Sequence, residues 1–380
     1  MRRTLRSAAV CALVMFVVGV GRASAGTRVV FTFDVESNAM YRLPEEVDAV
    51  CKDGSACGLM EIVRLLDERR WSGTFFLNVY EHRLWGESAM KALALRLQKA
   101  HQDLGLHTHP DSAYDASRPE MYQYSLDEQT AIVRDGARLL QQWTGVPVVS
   151  HRAGAYSADA HTLTALERNG ILIDSSLFLK YPKCRLNDLA MPSNVPSLRG
   201  RVLEIPVTAY ERADRPGFLS SMVAPVTTVR KIDADWLIDE HEMRTAIDAA
   251  VDANFPVIVV FLHSFSFMDG RSDGVPVADR HAIQMFKATM DYVALKQLPV
   301  VSMRDLANDQ ELRTSSHKDL VPQVAMTVDM PHYVWRRLKA DGAAPRFAGA
   351  GMVLIAAAVA LTVVRRRVAT RAAAGRMSFR

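Results

Sequence analysis

The sequence predicts the α/β class, as a parallel (β/α)7-8 barrel. Three observations carry that prediction. Apolar runs rich in Val, Ile and Phe, such as VVFTF at 29–33, TFFL at 74–77 and VIVVFL at 257–262, alternate with stretches of helical period. These runs are apolar at nearly every position, the mark of strands in a parallel sheet covered on both faces. In nearly every unit the polar residues gather where the strand ends, which is where barrel enzymes assemble their sites. An open doubly wound sheet would collect ligands at a single switch point instead.

The units follow in order. The first strand delivers Asp34 and Glu36 at its end, two residues apart and therefore on one face. A polar, irregular stretch covers 37–57. Leu59, Ile62, Val63 and Leu66 then form one helical stripe, followed by a strand at 73–77 and a helix over 90–100. A strand from 103 leads into His107-Thr108-His109-Pro110. Ser125 with Glu128 makes a capping box for a helix to about 143, which Gly145 stops. A short strand at 147–150 leads to His151 and Arg152. Ser157 is the expected cap of a helix that Gly170 ends, with strands following at 171–174 and 202–207. Met243, Ile247, Ala250 and Val251 share a helix face ahead of the strand 256–262. Ile283, Phe286, Met290 and Val293 share another, and 299–302 closes the series. Residues 177–201 and 210–232 fit no regular element and read as long loops on one rim.

The two ends differ from the body. Residues 1–25 combine early arginines, an apolar run and a closing Ala23-Ser24-Ala25, the pattern of a secretory signal peptide. Residues 347–364 are an unbroken apolar run just long enough to span a bilayer, and the tail 365–380 carries six arginines and no acid. The expectation is an exported body on the periplasmic or extracytoplasmic face, anchored by a C-terminal transmembrane helix with the tail in the cytoplasm. Residues 309–346 read as a spacer, with 321–328 able to add a strand. Setting aside the ten arginines of the two ends leaves 36 basic against 42 acidic residues, so the body is net −6 and offers no basic groove for nucleic acid. Cys51 and Cys57 can pair across the loop KDGSA in an oxidising compartment, leaving Cys184 over; a thiolate zinc site lacks a second close cysteine pair.

His107 and His109 at a strand end face the same way, as two ligands of one metal must. With Asp34 and Glu36 at another strand end they predict a two-histidine, one-carboxylate site for a divalent ion. Imidazole with carboxylate suits zinc, and cobalt or nickel are also compatible. Arg152 ends a short strand as a fixed cation that can orient a catalytic carboxylate. His263 ends the strand 257–262 and points at the same rim, where it can serve as a general acid.

The ordered set TFD, TFF, the histidine pair before proline, Arg152-x-x-x-Tyr156, Asp174-Ser175-Ser176 and Leu262-His263 resembles the NodB-homology polysaccharide deacetylases, carbohydrate esterase family four, over residues 28–306. The resemblance implies a distorted (β/α)7-8 barrel of the polysaccharide-deacetylase type over 26–308, acting on an amino-sugar glycan. By position it makes Asp34 the general base, His107 and His109 metal ligands, Arg152 the residue that orients the base, and His263 the acid that protonates the leaving amine. It gives the backbone of Tyr156 to an oxyanion hole and places Asp174 among the catalytic set in a supporting role. Two departures stand out: Val35 replaces a ligating aspartate of the family, and one residue separates the histidines where the family has three. Glu36 can substitute as ligand, or Asp34 can itself ligate. The implied activity is metal-dependent hydrolysis of N-acetyl groups outside the cytoplasm. The rival expectations are an inactive glycan-binding relative and a hydrolase of a small non-sugar amide.

Overall fold

The computed structural model describes residues 26–189, 193–217, 224–233, 239–269, 275–314, 320–331 and 333–334. The expected signal peptide, membrane span and basic tail lie outside these residues. Among the described residues no helix is long and apolar enough to cross a membrane.

The strands are β1 (Arg28–Val35), β2 (Thr74–Leu77), β3 (Asp103–Thr108), β4 (Ser150–Ala153), β5 (Ile173–Asp174), β6 (Ser197–Arg199), β7 (Val202–Glu204), β8 (Ala209–Pro216), β9 (Val226–Lys231), β10 (Val257–His263), β11 (Met268–Asp269), β12 (Val277–Ala278) and β13 (Gln323–Val328). The main sheet runs β10-β1-β2-β3-β4-β5-β7-β6, parallel except for the antiparallel outer pair β6 and β7. Its curl is closed by single contacts instead of a ladder. The Val259 N–H donates to Thr208 Oγ1 at 2.8 Å, Ile232 N–H to Thr208 O at 3.0 Å, and Phe261 N–H to Ile232 O at 2.9 Å. The result is a distorted (β/α) barrel.

The principal helices are α1 (Leu59–Asp67), α2 (Glu87–Lys99), α3 (Leu126–Thr144), α4 (Ala160–Arg168), α5 (Glu240–Asp252) and α6 (Arg280–Leu295). Leu59, Ile62, Val63 and Leu66 of α1 are buried as their spacing predicts. Ser125 and Glu128 form the expected capping box of α3, and Gly145 ends it at φ 73°, a left-handed conformation that favours glycine. The core is aromatic where β1, β2 and α6 meet: Phe33 stacks on Phe75 at 4.5 Å, and Phe286 packs edge-on against Phe31 and Phe33. Burying each such ring is worth roughly 2–3 kcal/mol.

Several expectations need correction. Residues 210–232 are no loop: β8 and β9 pair antiparallel there, with β13 added parallel to β8. The folded body therefore continues past residue 308 into the expected spacer, through a short helix Gln310–Thr314 and the buried Val324 of β13. The strand leading to Arg152 starts at Ser150 and includes it. The cap of α4 is Asp159, whose carboxylate accepts from Thr162 N–H at 3.0 Å, while the Ser157 hydroxyl accepts from Met121 N–H. A capping signal is local, and Asp159 lies nearer the first turn. Cys51 and Cys57 form a disulfide with Cα atoms 5.9 Å apart, and Cys184 is free and buried.

Candidate metal centre and active site

The end of β1 sets the site. Its pleat sends Phe33 and Val35 into the hydrophobic core, both with no exposed surface, and Asp34 and Glu36 to the other face. Val35 is thus a core residue, and the carboxylate that reaches the histidines is that of Glu36. Asp34 pairs in register with His263 of β10, and His107 of β3 with Arg152 of β4. Strand register alone brings these four groups to one rim.

Glu36, His107 and His109 each offer a donor atom, and the three atoms lie within 4.8 Å of one another. Glu36 Oε2 lies 2.6 Å from His109 Nε2 and 3.3 Å from His107 Nε2. Both nitrogens are buried, and neither makes a well-directed hydrogen bond. Buried lone pairs converging on a carboxylate are a donor set that fits a divalent cation. Asp34 stands beside the set, its Oδ2 3.8 Å from His107 Nε2. His107 Nδ1–H donates to Arg152 O at 2.9 Å, which fixes the tautomer and leaves Nε2 facing the carboxylates.

Burial alone would raise the Glu36 carboxyl, but the close His109 and His107 imidazoles overcome it and hold the group well below its ordinary value. The His109 imidazole is opposed by burial yet lifted by Glu36 to about 9. Gly154 is required beneath it: a Cβ there would lie 2.3 Å from His109 Nε2.

Arg152 is fully buried and spends its donors on fixed acceptors: Nε on Ser175 O, one terminal nitrogen on Ser175 Oγ, and the other on Thr32 Oγ1 and Asp34 Oδ1, the last at 2.8 Å. Its guanidinium also lies 4.4 Å from the centre of the Phe76 ring. Asp34 thereby keeps one oxygen anchored and the other facing His107.

His263 lies across the site with Nε2 3.7 Å from Glu36 Oε1, its ring stacked on Phe265 at 4.7 Å. Burial and the nearby Lys231 cation push it down to about 4, so it is neutral at neutral pH. Tyr156 follows Ala155 in a turn where both have positive φ, 56° and 48°. Two consecutive non-glycine residues there store strain of the kind found at functional sites. The Tyr156 hydroxyl accepts from Lys231 Nζ at 3.1 Å, and its ring packs against Phe178, Tyr181 and Phe261.

Asp174 is the expected site residue that this cluster does not include. It is fully buried and bonded to His151 Nδ1 at 2.7 Å and to the Ser176 hydroxyl at 2.7 Å. Its neighbour Ser175 is what reaches the site, as the clamp on Arg152. Sequence reasoning also missed Lys231, which falls in a stretch taken for loop. Ser264 was missed too; its hydroxyl donates to Glu36 O at 2.7 Å. Immediate succession to His263 was the available signal for Ser264.

No family model matches the chain, and no curated protein matches it. Solved structures do. A protein described as a polysaccharide deacetylase from Mycobacterium smegmatis aligns over 83% of this chain and 100% of its own, with 18% identity and TM-score 0.48. The chitin deacetylase of the fungal pathogen Colletotrichum lindemuthianum aligns over 77% and 88%, with 14% identity and TM-score 0.40. A family 4 carbohydrate esterase pseudoenzyme from Bacillus anthracis aligns over 81% and 70%, with 11% identity and TM-score 0.41. The likeness is to polysaccharide deacetylases and their inactive kin. All three TM-scores fall below 0.5, so the function rests on the site itself.

Proposed function

We propose that this protein is a metal-dependent amide hydrolase that removes N-acetyl groups from an amino-sugar glycan outside the cytoplasm. The observation that carries the reading is the convergence of Glu36, His107 and His109 donor atoms within 4.8 Å, beside an aspartate anchored by a buried arginine. Those three residues would hold the ion, zinc by donor type, and a bound ion would polarise the amide carbonyl and make water a better nucleophile.

The chain's own residues supply the rest. Asp34, held through Oδ1 by Arg152, presents Oδ2 to take the proton of the attacking water. That proton passes on to His263, which is neutral at rest, and His263 delivers it to the amine as the C–N bond breaks, so the products are acetate and a free amino group. Lys231 raises the cost of charge on His263, which favours prompt release of that proton. The turn at Ala155 and Tyr156 is the candidate for backbone donors to the developing oxyanion.

Acetate release from N-acetylglucosamine oligomers tests this reading. The expected result is activity that a chelator removes and zinc restores, with Asp34→Asn slower by about 10²–10⁴-fold at unchanged fold. A wild-type protein that binds glycan, contains no metal and ignores chelator would establish the inactive-relative reading instead. Release of acetate from small non-sugar amides alone would transfer the activity to the third reading.

We also propose export and C-terminal anchoring, supported by the segments 1–25 and 347–364 and by the Cys51–Cys57 disulfide, a bond favoured in oxidising compartments. Fractionation of cells expressing the full chain should find it in the membrane, accessible to protease from outside. A chain ending at residue 346 should be released from the membrane.

A further inference from the structure

A second polar network lies on the opposite face of the same strand ends. Thr108, His151 and Asp174 have no exposed surface, and Glu204 has 1%. Thr108 Oγ1 is 3.0 Å from His151 Nε2, and His151 Nδ1 is 2.7 Å from Asp174 Oδ1. Glu204 pairs with Asp174 in register between β5 and β7 and accepts from Leu177 N–H at 2.9 Å. Burial and the Asp174 charge push the Glu204 carboxyl well up, while His151 holds Asp174 down against its own burial. Asp174 Oδ1 is the acceptor for His151 Nδ1–H. Nε2, on the other side of the ring, is joined by hydrogen bond to the Thr108 hydroxyl.

Hydroxyl, imidazole and carboxylate in this order form the constellation of a nucleophilic triad. Full burial of Thr108 excludes that use, because no substrate reaches the hydroxyl. Its position in the sequence suggests another. Thr108 is the residue between His107 and His109, and on a strand a side chain fixed to one face fixes its neighbours to the other. His107 has an anchor of its own in Arg152 O. Among the described residues the Nδ1 of His109 has Asp111 Oδ1 at 4.0 Å, beyond hydrogen-bond range, so the aim of its ring depends on the backbone that carries it.

We propose that the chain Thr108–His151–Asp174–Glu204 is a positioning device that sets the aim of the metal-ligating pair, above all His109. The inference rests on the reading of Glu36, His107 and His109 as metal ligands. It makes Asp174 a residue that acts through another and not on substrate.

Zinc titration against a chromophoric chelator, with thermal unfolding of the same proteins in EDTA, tests it. Thr108→Val replaces the hydroxyl by a methyl of similar shape. It is expected to weaken zinc binding by about 10–100-fold, the usual effect of losing an outer-shell partner, and Thr108→Ser is expected to restore it. Asp174→Asn, which keeps size and changes the tautomer preference of His151, is expected to weaken zinc binding likewise and covers the case in which Thr108→Val fails to fold. Variants that unfold at lower temperature while binding zinc as tightly as wild type would overturn the proposal and leave the metal reading standing. A folded wild-type protein that takes up no zinc would overturn both.

Discussion

At the scale of single residues, the site is governed by how one carboxylate is shared. Glu36 faces His107, His109 and His263 at 3.3, 2.6 and 3.7 Å, and its charge acts most strongly on His109. His109 is lifted to about 9 and binds its proton through the neutral range. A metal ligand must be unprotonated, so ion uptake has to release that proton. Apparent zinc affinity should accordingly rise about tenfold per pH unit between 6 and 8 and level off near 9, with about one proton released from His109 per ion. Calorimetric titration in buffers of different ionisation heat measures that number directly, and a pH-independent affinity would refute the His109–Glu36 pairing. Gly154 belongs to the same scale: its missing side chain is the space that the His109 ring occupies.

At the scale of elements, β8 and β9 are the part of the fold that local pattern conceals, and β13, the strand that 321–328 is able to add, joins them in one three-stranded sheet. β8 alternates buried and partly exposed positions, and its charges are paired inward: Arg212 with Asp214 at 2.8 Å and with Glu242 of α5. Tyr210 and Arg230 reach the same Glu242, which ties β8 and β9 to one helix. β13 covers the free edge of β8 over six register pairs and buries Val324. A chain ending at Thr314 would uncover that edge and lose roughly 2–3 kcal/mol of apolar burial. Its urea midpoint should fall, and it should aggregate at concentrations where the chain ending at residue 334 stays monomeric.

At the scale of the whole molecule, buried acids near the site tie its stability to pH. Glu46, 1% exposed, is raised to about 8 by burial, against the Ser264 hydroxyl and with help from the Glu81 and Glu36 charges. Because the folded pKa lies above the ordinary 4.5, the folded state holds the proton more tightly than the unfolded chain. The stability from this group is fully present below about 4.5 and is lost as pH rises through about 8, a change on the order of a few kcal/mol. Denaturant unfolding in chelator from pH 5 to 8.5 should show wild type losing stability relative to Glu46→Gln, which stays neutral throughout. Parallel curves for the two would mean that Glu46 titrates normally.

What the sequence determined by itself is what depends on local period and local chemistry. The alternation of strands and helices, the capping of α3 by Ser125 and its stop at Gly145 were legible because each signal lies within a few residues of its effect. So was the delivery of Asp34, Glu36, His107, His109, Arg152 and His263 to strand ends, since a strand's pleat and direction follow from its own residues. Tertiary structure alone decided partners. Asp174 and Arg152 both sit near strand ends, yet the pleat turns Arg152 toward Asp34 and puts Asp174 behind it on His151. The barrel closes through Thr208 and Ile232, which carry no periodic signal, and β13 finds β8 more than a hundred residues away. Which face meets which depends on register between strands far apart in the chain, and register is set by the packing of the whole sheet.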